Sequence, residues 1–191
     1  MDNIEEGPKL YFSPLELESI RNKMTQDVQK PIFLLHTNGG GPNGRSYSWY
    51  RDIPVQNTID VVNYFKNDFH IYQIGYKNQQ LIEGCHRLNL ETREILAAPI
   101  FSRKRLLIDS FSQHSARAFQ KKSVVCWIGN KPEVLGYKMH DNIKPNIEPV
   151  YDTLHSSYLE DGDIGGNPIQ FPYDRLKIFD SEEIINKLIQ L

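Results

Sequence analysis

Cysteine is scarce in this chain: Cys85 and Cys126 are the only two in 191 residues. Neither lies in a C-x-x-C pair or beside a spaced histidine, so neither a disulfide framework nor a zinc-type ligand set is written into the sequence. No metal site is expected. Long apolar runs are absent as well, and nothing approaches the roughly 20 residues that cross a bilayer. The N-terminal stretch MDNIEEGPKLYF is acidic and lacks the apolar centre of a secretory signal. A cytoplasmic location is therefore expected, with peripheral attachment at the inner membrane surface as the variant. Charge excess is the third absence: 22 Lys and Arg stand against 24 Asp and Glu, a formal net charge of −2. That balance offers no basic field for nucleic acid, which is not expected as a partner. The two dense basic runs, Arg103-Lys104-Arg105 and Lys121-Lys122, read as solvated ends of elements.

What remains is a chain long enough for one domain with a proper core. Ser13-Pro14-Leu15-Glu16 has the pattern of a helix start, with a serine cap, proline at the first position and glutamate at the third; that helix is expected to reach about Gln26. Residues 31–36 form a short apolar strand running into glycines. A loop rich in Gly, Asn, Ser and aromatics follows from Thr37 to Pro54. Val55 to Phe65 has helical period, and Phe69 to Ile74 reads as a second strand. Gln79 to Gly84 is helix or loop. Arg87 to Leu90 is a short strand candidate, and Thr92 caps a short helix that Pro99 ends. Strands at Leu106–Ile108 and Val124–Ile128 flank a helix over Ser112–Lys121. Such alternation argues for an α/β domain with an open, mainly parallel sheet. Residues 1–145 are assigned to that Rossmann-like unit. Residues 146–191 are assigned to an irregular tail and a last helix, Glu182 to Gln190, which packs on the unit or on a partner domain.

The segment with most chemistry is Asp109-Ser110-Phe111-Ser112-Gln113-His114. A buried strand here ends in an acid and turns into a helix. The first N–H groups of a helix lack partners and carry partial positive charge, which suits an anion. Phosphate is expected on the amides near Ser112 and Gln113, with Asp109 accepting hydrogen bonds from sugar hydroxyls at the carboxyl ends of the strands. Ser110 and Gln113 also fit a capping box, and the plain alternative is a well-capped core helix with His114 packed inside. Ser110 and His114 lack the elbow sequence of a hydrolase nucleophile. Gly39 to Ser46 reads G-x-x-x-x-G-R-S, one residue from a phosphate-cradling P-loop. Arg45 replaces the lysine, and the residues after Ser46 make a poor helix start, so a loop over a ligand fits better. Asp161 and Asp163 have the D-x-D spacing of some metal-dependent sugar transferases, but a solvated loop is the better reading.

The block Asp109-Ser110-Phe111-Ser112-Gln113-His114-Ser115-Ala116-Arg117-Ala118, followed by Val124-Val125-Cys126-Trp127-Ile128-Gly129-Asn130-Lys131-Pro132, resembles the ADP-heptose:lipopolysaccharide heptosyltransferase family in its C-terminal, donor-binding half. That family carries D-S-G-P-x-H-x-A-x-A and then V-V-x-L-F-G-x-T-x-P. Asp109, Ser110, His114, Ala116, Ala118, Gly129 and Pro132 fall on the pattern in register. Leu34-Leu35-His36-Thr37-Asn38-Gly39 is similar to the family's first strand and glycine turn, and Arg51, with Arg45 as rival, to its basic residue near the donor phosphates. The family's glycine and proline are Phe111 and Ser112 here.

The resemblance implies one Rossmann-like half of a GT-B glycosyltransferase. Its substrate would be a nucleoside diphosphate sugar, with no separate cofactor, and it would transfer a hexose or heptose to a hydroxyl of a carbohydrate or glycolipid acceptor without metal. The donor-binding set would be Thr37, Asn38, Arg45, Arg51, Asp109, Ser110, Ser112, Gln113, His114 and Gly129. The catalytic base would lie in an N-terminal acceptor domain or subunit. The rivals are a non-catalytic nucleotide-sugar-binding module of a split enzyme and a P-loop-like phosphotransferase.

Overall fold

The computed structural model describes residues 7–39, 51–146 and 176–191. The strands are β1 (Ile32–Leu35), β2 (His70–Gln73), β3 (Cys85–Arg87), β4 (Lys104–Ile108), β5 (Val124–Cys126) and β6 (Asp141–Ile143). The helices are α1 (Pro14–Thr25), α2 (Val55–Phe65), α3 (Thr92–Ile95), α4 (Ala98–Phe101), α5 (Phe111–Ala118), α6 (Pro132–Leu135) and α7 (Ser181–Ile189). The strands form one sheet in the order β3-β2-β1-β4-β5-β6, and every pairing is parallel. The order reverses between β1 and β4, so the connections leaving those two strands diverge and open a crevice at their carboxyl ends.

Both faces of the sheet are covered, which is why its strands are apolar without strict alternation. On one face Phe33, Leu35, Ile71, Leu106, Ile108, Val124 and Cys126 meet Val61, Val62 and Phe65 of α2 and Ile184 and Leu188 of α7. On the other, Ile32 and Leu34 meet Ile20 and Met24 of α1 with Ala97 and Ala98 beside α4, and Leu107 and Val125 meet Ala116 of α5. Among the described residues no helix is long and apolar enough to cross a membrane.

Local signals are used as written in several places. Ser13 and Glu16 exchange both bonds of the capping box at the start of α1. Asp180 accepts from the amides of Glu182 and Glu183 at the start of α7. Elsewhere the structure corrects the sequence. Pro99 does not end a helix; Glu91 caps α3, and Pro99 lies in the first turn of the separate helix α4, where its missing N–H costs nothing. Strand β3 begins two residues earlier than Arg87–Leu90, and α6 and β6 occupy a stretch to which no element is assigned from the sequence.

The basic run at 103–105 is the larger correction. Lys104 and Arg105 are buried strand residues, not solvated ends. Lys104 reaches the last carbonyls of α7, with Nζ donating to Leu188 O at 2.5 Å, and it lies near the rings of Phe65 and Phe69. Arg105 donates to the carbonyls of Ser102 and Lys122. A cation suits the negative end of a helix, and a guanidinium with several carbonyl acceptors can be buried without an acid. The Lys121-Lys122 run departs less: Lys122 is half-exposed and pairs with Asp141 at 2.9 Å.

A buried asparagine fixes the approach to α7. Asn57, fully enclosed on α2, donates to Phe179 O and Ser181 Oγ, both at 2.9 Å, and accepts from the Ile178 amide at 3.2 Å. Truncating it leaves the Phe179 carbonyl and the Ile178 amide without this partner in the interior, while Ser181 Oγ keeps its bond to Asp60. Asn57→Ala is expected to lower unfolding stability by about 2–4 kcal/mol, read as a lower urea midpoint at unchanged slope. An unchanged midpoint would show that this clamp contributes nothing.

Candidate functional site

The carboxyl ends of β1, β4 and β5 carry the polar residues singled out above. At the end of β1 the chain continues through His36, Thr37, Asn38 and Gly39. Thr37 is buried, and its carbonyl accepts from the Ile53 amide at 2.9 Å, tying the returning chain to the strand end. Asn38 Oδ1 accepts from Gln79 Nε2 at 2.9 Å. The Gly39 amide donates to Asp52 Oδ1 at 2.8 Å, and the Arg51 guanidinium lies across the same glycine. A Cβ at residue 39 would stand 3.0–3.1 Å from that guanidinium, so a larger residue would push it away. Arg45 and the rest of Gly40–Tyr50 lie outside the described residues, as do Asp161 and Asp163. The described return through Arg51–Pro54 is not helical, and α2 begins only at Val55. No helix passes through 51–54, where one opened at the Ser46 of a P-loop would continue.

At the end of β4, Asp109 is half-buried. Its Oδ2 accepts from Asn130 Nδ2 at 2.5 Å, and Gln113 Nε2 stands 3.5 Å from its Oδ1. Asn130 follows Gly129 just beyond β5, so the ends of β4 and β5 meet at this carboxylate. Ser110 occupies the cap position of α5, but its side chain makes no capping bond. The expected capping box is not formed, because the Gln113 side chain is turned inward, donating to Leu135 O at 3.2 Å. The Gln113 amide is also engaged, by Ser110 O at 3.1 Å. An anion at this helix start would thus meet the amides of Phe111 and Ser112, for which no bond is made to a described backbone carbonyl, and not that of Gln113. The helix itself runs over 111–118, one residue earlier at its start than expected and shorter at its end.

Ser112 is enclosed, and its Oγ lies 2.7 Å from Nδ1 of His36. This bond joins the end of β1 to the first turn of α5. Phe111, 41% exposed, leans its ring on the His36 imidazole at 5.1 Å between centroids. His114 is engaged elsewhere: its Nδ1 lies 2.8 Å from the hydroxyl of Tyr137, beyond α6. The structure thus gathers Thr37, Asn38, Arg51, Asp109, Ser110, Ser112 and Gly129 along one edge of the sheet. It turns the Gln113 side chain inward and the His114 side chain toward Tyr137. Sequence reasoning missed three members: His36, Asp52 and Asn130. The available signal was position, since His36 and Asn130 closely follow buried strands on the edge that ends in Asp109.

Among the described residues no group of three or more His, Cys, Asp or Glu side chains is placed to hold a metal. Both thiols are buried, which pushes Cys85 up to about 12 and raises Cys126 further.

In sequence, the chain matches no family model and no curated protein. In fold it is similar to a glycosyl transferase family 9 protein from Veillonella parvula DSM 2008, with a TM-score of 0.67 and 12% identity, over 100% of this chain and 56% of that one. It is also similar to heptosyltransferase TibC, solved in complex with ADP-D-β-D-heptose (TM-score 0.58, 13% identity, 85% of this chain and 45% of that one). A third likeness is to E. coli ADP-heptose LPS heptosyltransferase II (TM-score 0.52, 14% identity, 71% and 45%). The fold is one that these three glycosyltransferase structures contain. Two of them, the heptosyltransferases, are of the family that the Asp109–Pro132 block resembles. The chain spans about half the length of these structures.

Two histidines at the site are held neutral by their surroundings. Burial, and secondarily the Arg51 charge, pushes His36 down to about 3. Burial likewise pushes His140, whose Nε2 lies 3.2 Å from Gln113 O, down to about 4. The ordinary value is about 6.5, so between pH 6.5 and about 4 the unfolded chain binds protons that the folded chain refuses. Their contribution is complete above pH 6.5 and is lost as pH falls. A decline in stability of at most about 2.7 kcal/mol per pH unit is expected over that window for the pair. Guanidinium midpoints measured from pH 7 to 5.5, above most carboxylate titration, check this; a flat profile would contradict it.

Proposed function

We propose that this chain is the donor-binding part of a glycosyltransferase that takes a nucleoside diphosphate sugar and passes a hexose or heptose to an acceptor hydroxyl. The observation that carries the reading is the meeting of Arg51, the open helix start at Phe111–Ser112 and Asp109 at one crevice. That crevice lies where the strand order reverses, in a fold shared with glycosyltransferases.

In such a transfer the bond from the anomeric carbon to the diphosphate oxygen breaks while the acceptor oxygen bonds to that carbon. Negative charge gathers on the departing diphosphate. A guanidinium presents several donors in a plane and suits two phosphate oxygens at once, and amides fixed at a helix start need no reorganisation as charge develops. The proposal gives the charge of the leaving group to these residues without a divalent ion. Asp109, oriented by Asn130, would hold sugar hydroxyls. A neighbour in fold was solved with ADP-D-β-D-heptose, which makes an ADP-sugar the first donor to try. The acceptor is proposed as a carbohydrate or glycolipid, and the catalytic base as belonging to an N-terminal acceptor domain or subunit.

The length, about half that of the solved neighbours, favours a second reading: a nucleotide-sugar-binding module that acts with a partner and does no chemistry alone. Calorimetric titration with ADP, GDP, UDP and CDP in the presence of EDTA tests the first part. One diphosphate is expected to bind, with affinity falling ten- to a hundredfold in Arg51→Ala, as for loss of a charged hydrogen-bond donor, and several-fold for the sugar-bearing form in Asp109→Ala. Binding that is absent, or untouched by both substitutions, would remove the assignment. Release of free nucleotide from the sugar donor by the isolated chain would favour the enzyme over the module.

A further inference from the structure

Resting on the donor-site reading, we propose that His36 is an additional ligand-contacting residue, an uncharged hydrogen-bond donor that offers Nε2–H to a phosphate oxygen at the β1/β4 crevice. It stands directly beyond β1, its amide bonded to Leu106 O of β4 at 2.9 Å, so it sits where the two strands that define the crevice meet. The residue is 3% exposed. Its Nδ1 is taken by Ser112 Oγ, and Nε2 makes no hydrogen bond to any described residue. Nε2 is not among the buried unpartnered side-chain atoms, so in an otherwise enclosed ring this one nitrogen reaches the surface of the crevice, beside the helix start, where a ligand can meet it.

The tautomer follows from Ser112. That hydroxyl is 1% exposed and has one hydrogen to give; the acceptor the structure provides for it is His36 Nδ1. When the hydroxyl donates there, the ring proton resides on Nε2, and the free nitrogen is a donor. A donor suits an oxyanion and not a second donor. Burial and the Arg51 charge keep the ring uncharged at neutral pH. A base so weak would be a poor acceptor of a proton from a hydroxyl, which sets His36 apart from a general base. A neutral imidazole can still polarise an oxygen by hydrogen bonding. The Phe111 ring, 5.1 Å away, helps to exclude water from this bond, which strengthens it. Arg51 then supplies the full charge of the site and His36 its direction.

The test uses the full chain with ADP and, to remove any dependence on the base, inorganic pyrophosphate. Long-range 15N–1H spectra of the histidine rings are expected to show His36 as the neutral Nε2–H form. Its Nε2 signal should move on adding either ligand, while that of His86, exposed on β3, should not. His36→Asn keeps a group near Ser112 but lacks the distal donor, and is expected to weaken ADP binding roughly ten- to a hundredfold. His36→Gln restores an N–H near the distal position and is expected to recover most of that loss. Equal loss in both variants, an Nδ1–H form, or ring signals unmoved by bound ligand would overturn the role of His36. ADP binding that survives His36→Asn but vanishes in Arg51→Ala would overturn it while leaving the donor-site reading intact. Failure of the wild type to bind any nucleoside diphosphate or pyrophosphate would overturn both.

Discussion

The parallel pairing of β1 with β4 is the contact on which the rest of this molecule depends. It sets Leu34 opposite Arg105 and Leu35 opposite Leu106, joining segments some seventy residues apart. From that register follow the crevice, the position of His36 beside Ser112 and the shared edge that carries Arg51 and Asp109. Parallel pairs require long crossovers, and here the crossovers leave β1 and β4 in opposite directions along the sheet. The opening between them is a consequence of topology before any side chain is considered.

Polar groups buried around this sheet do much of the work of fixing its periphery. Asn57 binds the approach to α7, Lys104 meets the far end of that helix, and Arg105 gathers carbonyls from two connections. Apolar packing alone would let α7 slide, because it is non-directional. These bonds have one geometry and penalise others by leaving donors or acceptors unmet in the interior. The core thus gains register from a few satisfied polar atoms, while Ile184 and Leu188 supply the burial.

The same economy shapes the candidate site. Asp109 is held by Asn130 on one oxygen, and His36 is held by Ser112 at one nitrogen. Asp109 has a second, long contact from Gln113 Nε2 at its other oxygen, whereas the far nitrogen of His36 has no described partner; both side chains are held in place before any ligand arrives. The departure from the resembling family falls at the same place. Phe111 stands where that family has glycine, and its ring leans on the His36 imidazole.

The sequence by itself determined the longer elements and their type, but not the short α4, α6 and β6. Capping residues at Ser13 and Asp180, the helical period of Val55–Phe65 and the apolar runs at 32–35 and 106–108 are local signals, and local signals act through neighbours three or four residues away. The alternation of strand with helix was enough to require a parallel sheet. Tertiary structure alone decided that Lys104 and Arg105 lie inside, that Gln113 turns inward instead of boxing with Ser110, and that His36 and Asn130 join the site. Their partners lie 84, 17, 22, 76 and 21 residues away. No periodicity encodes such a partner, because it is chosen by strand order, and strand order is settled only when the whole sheet buries its two faces at once.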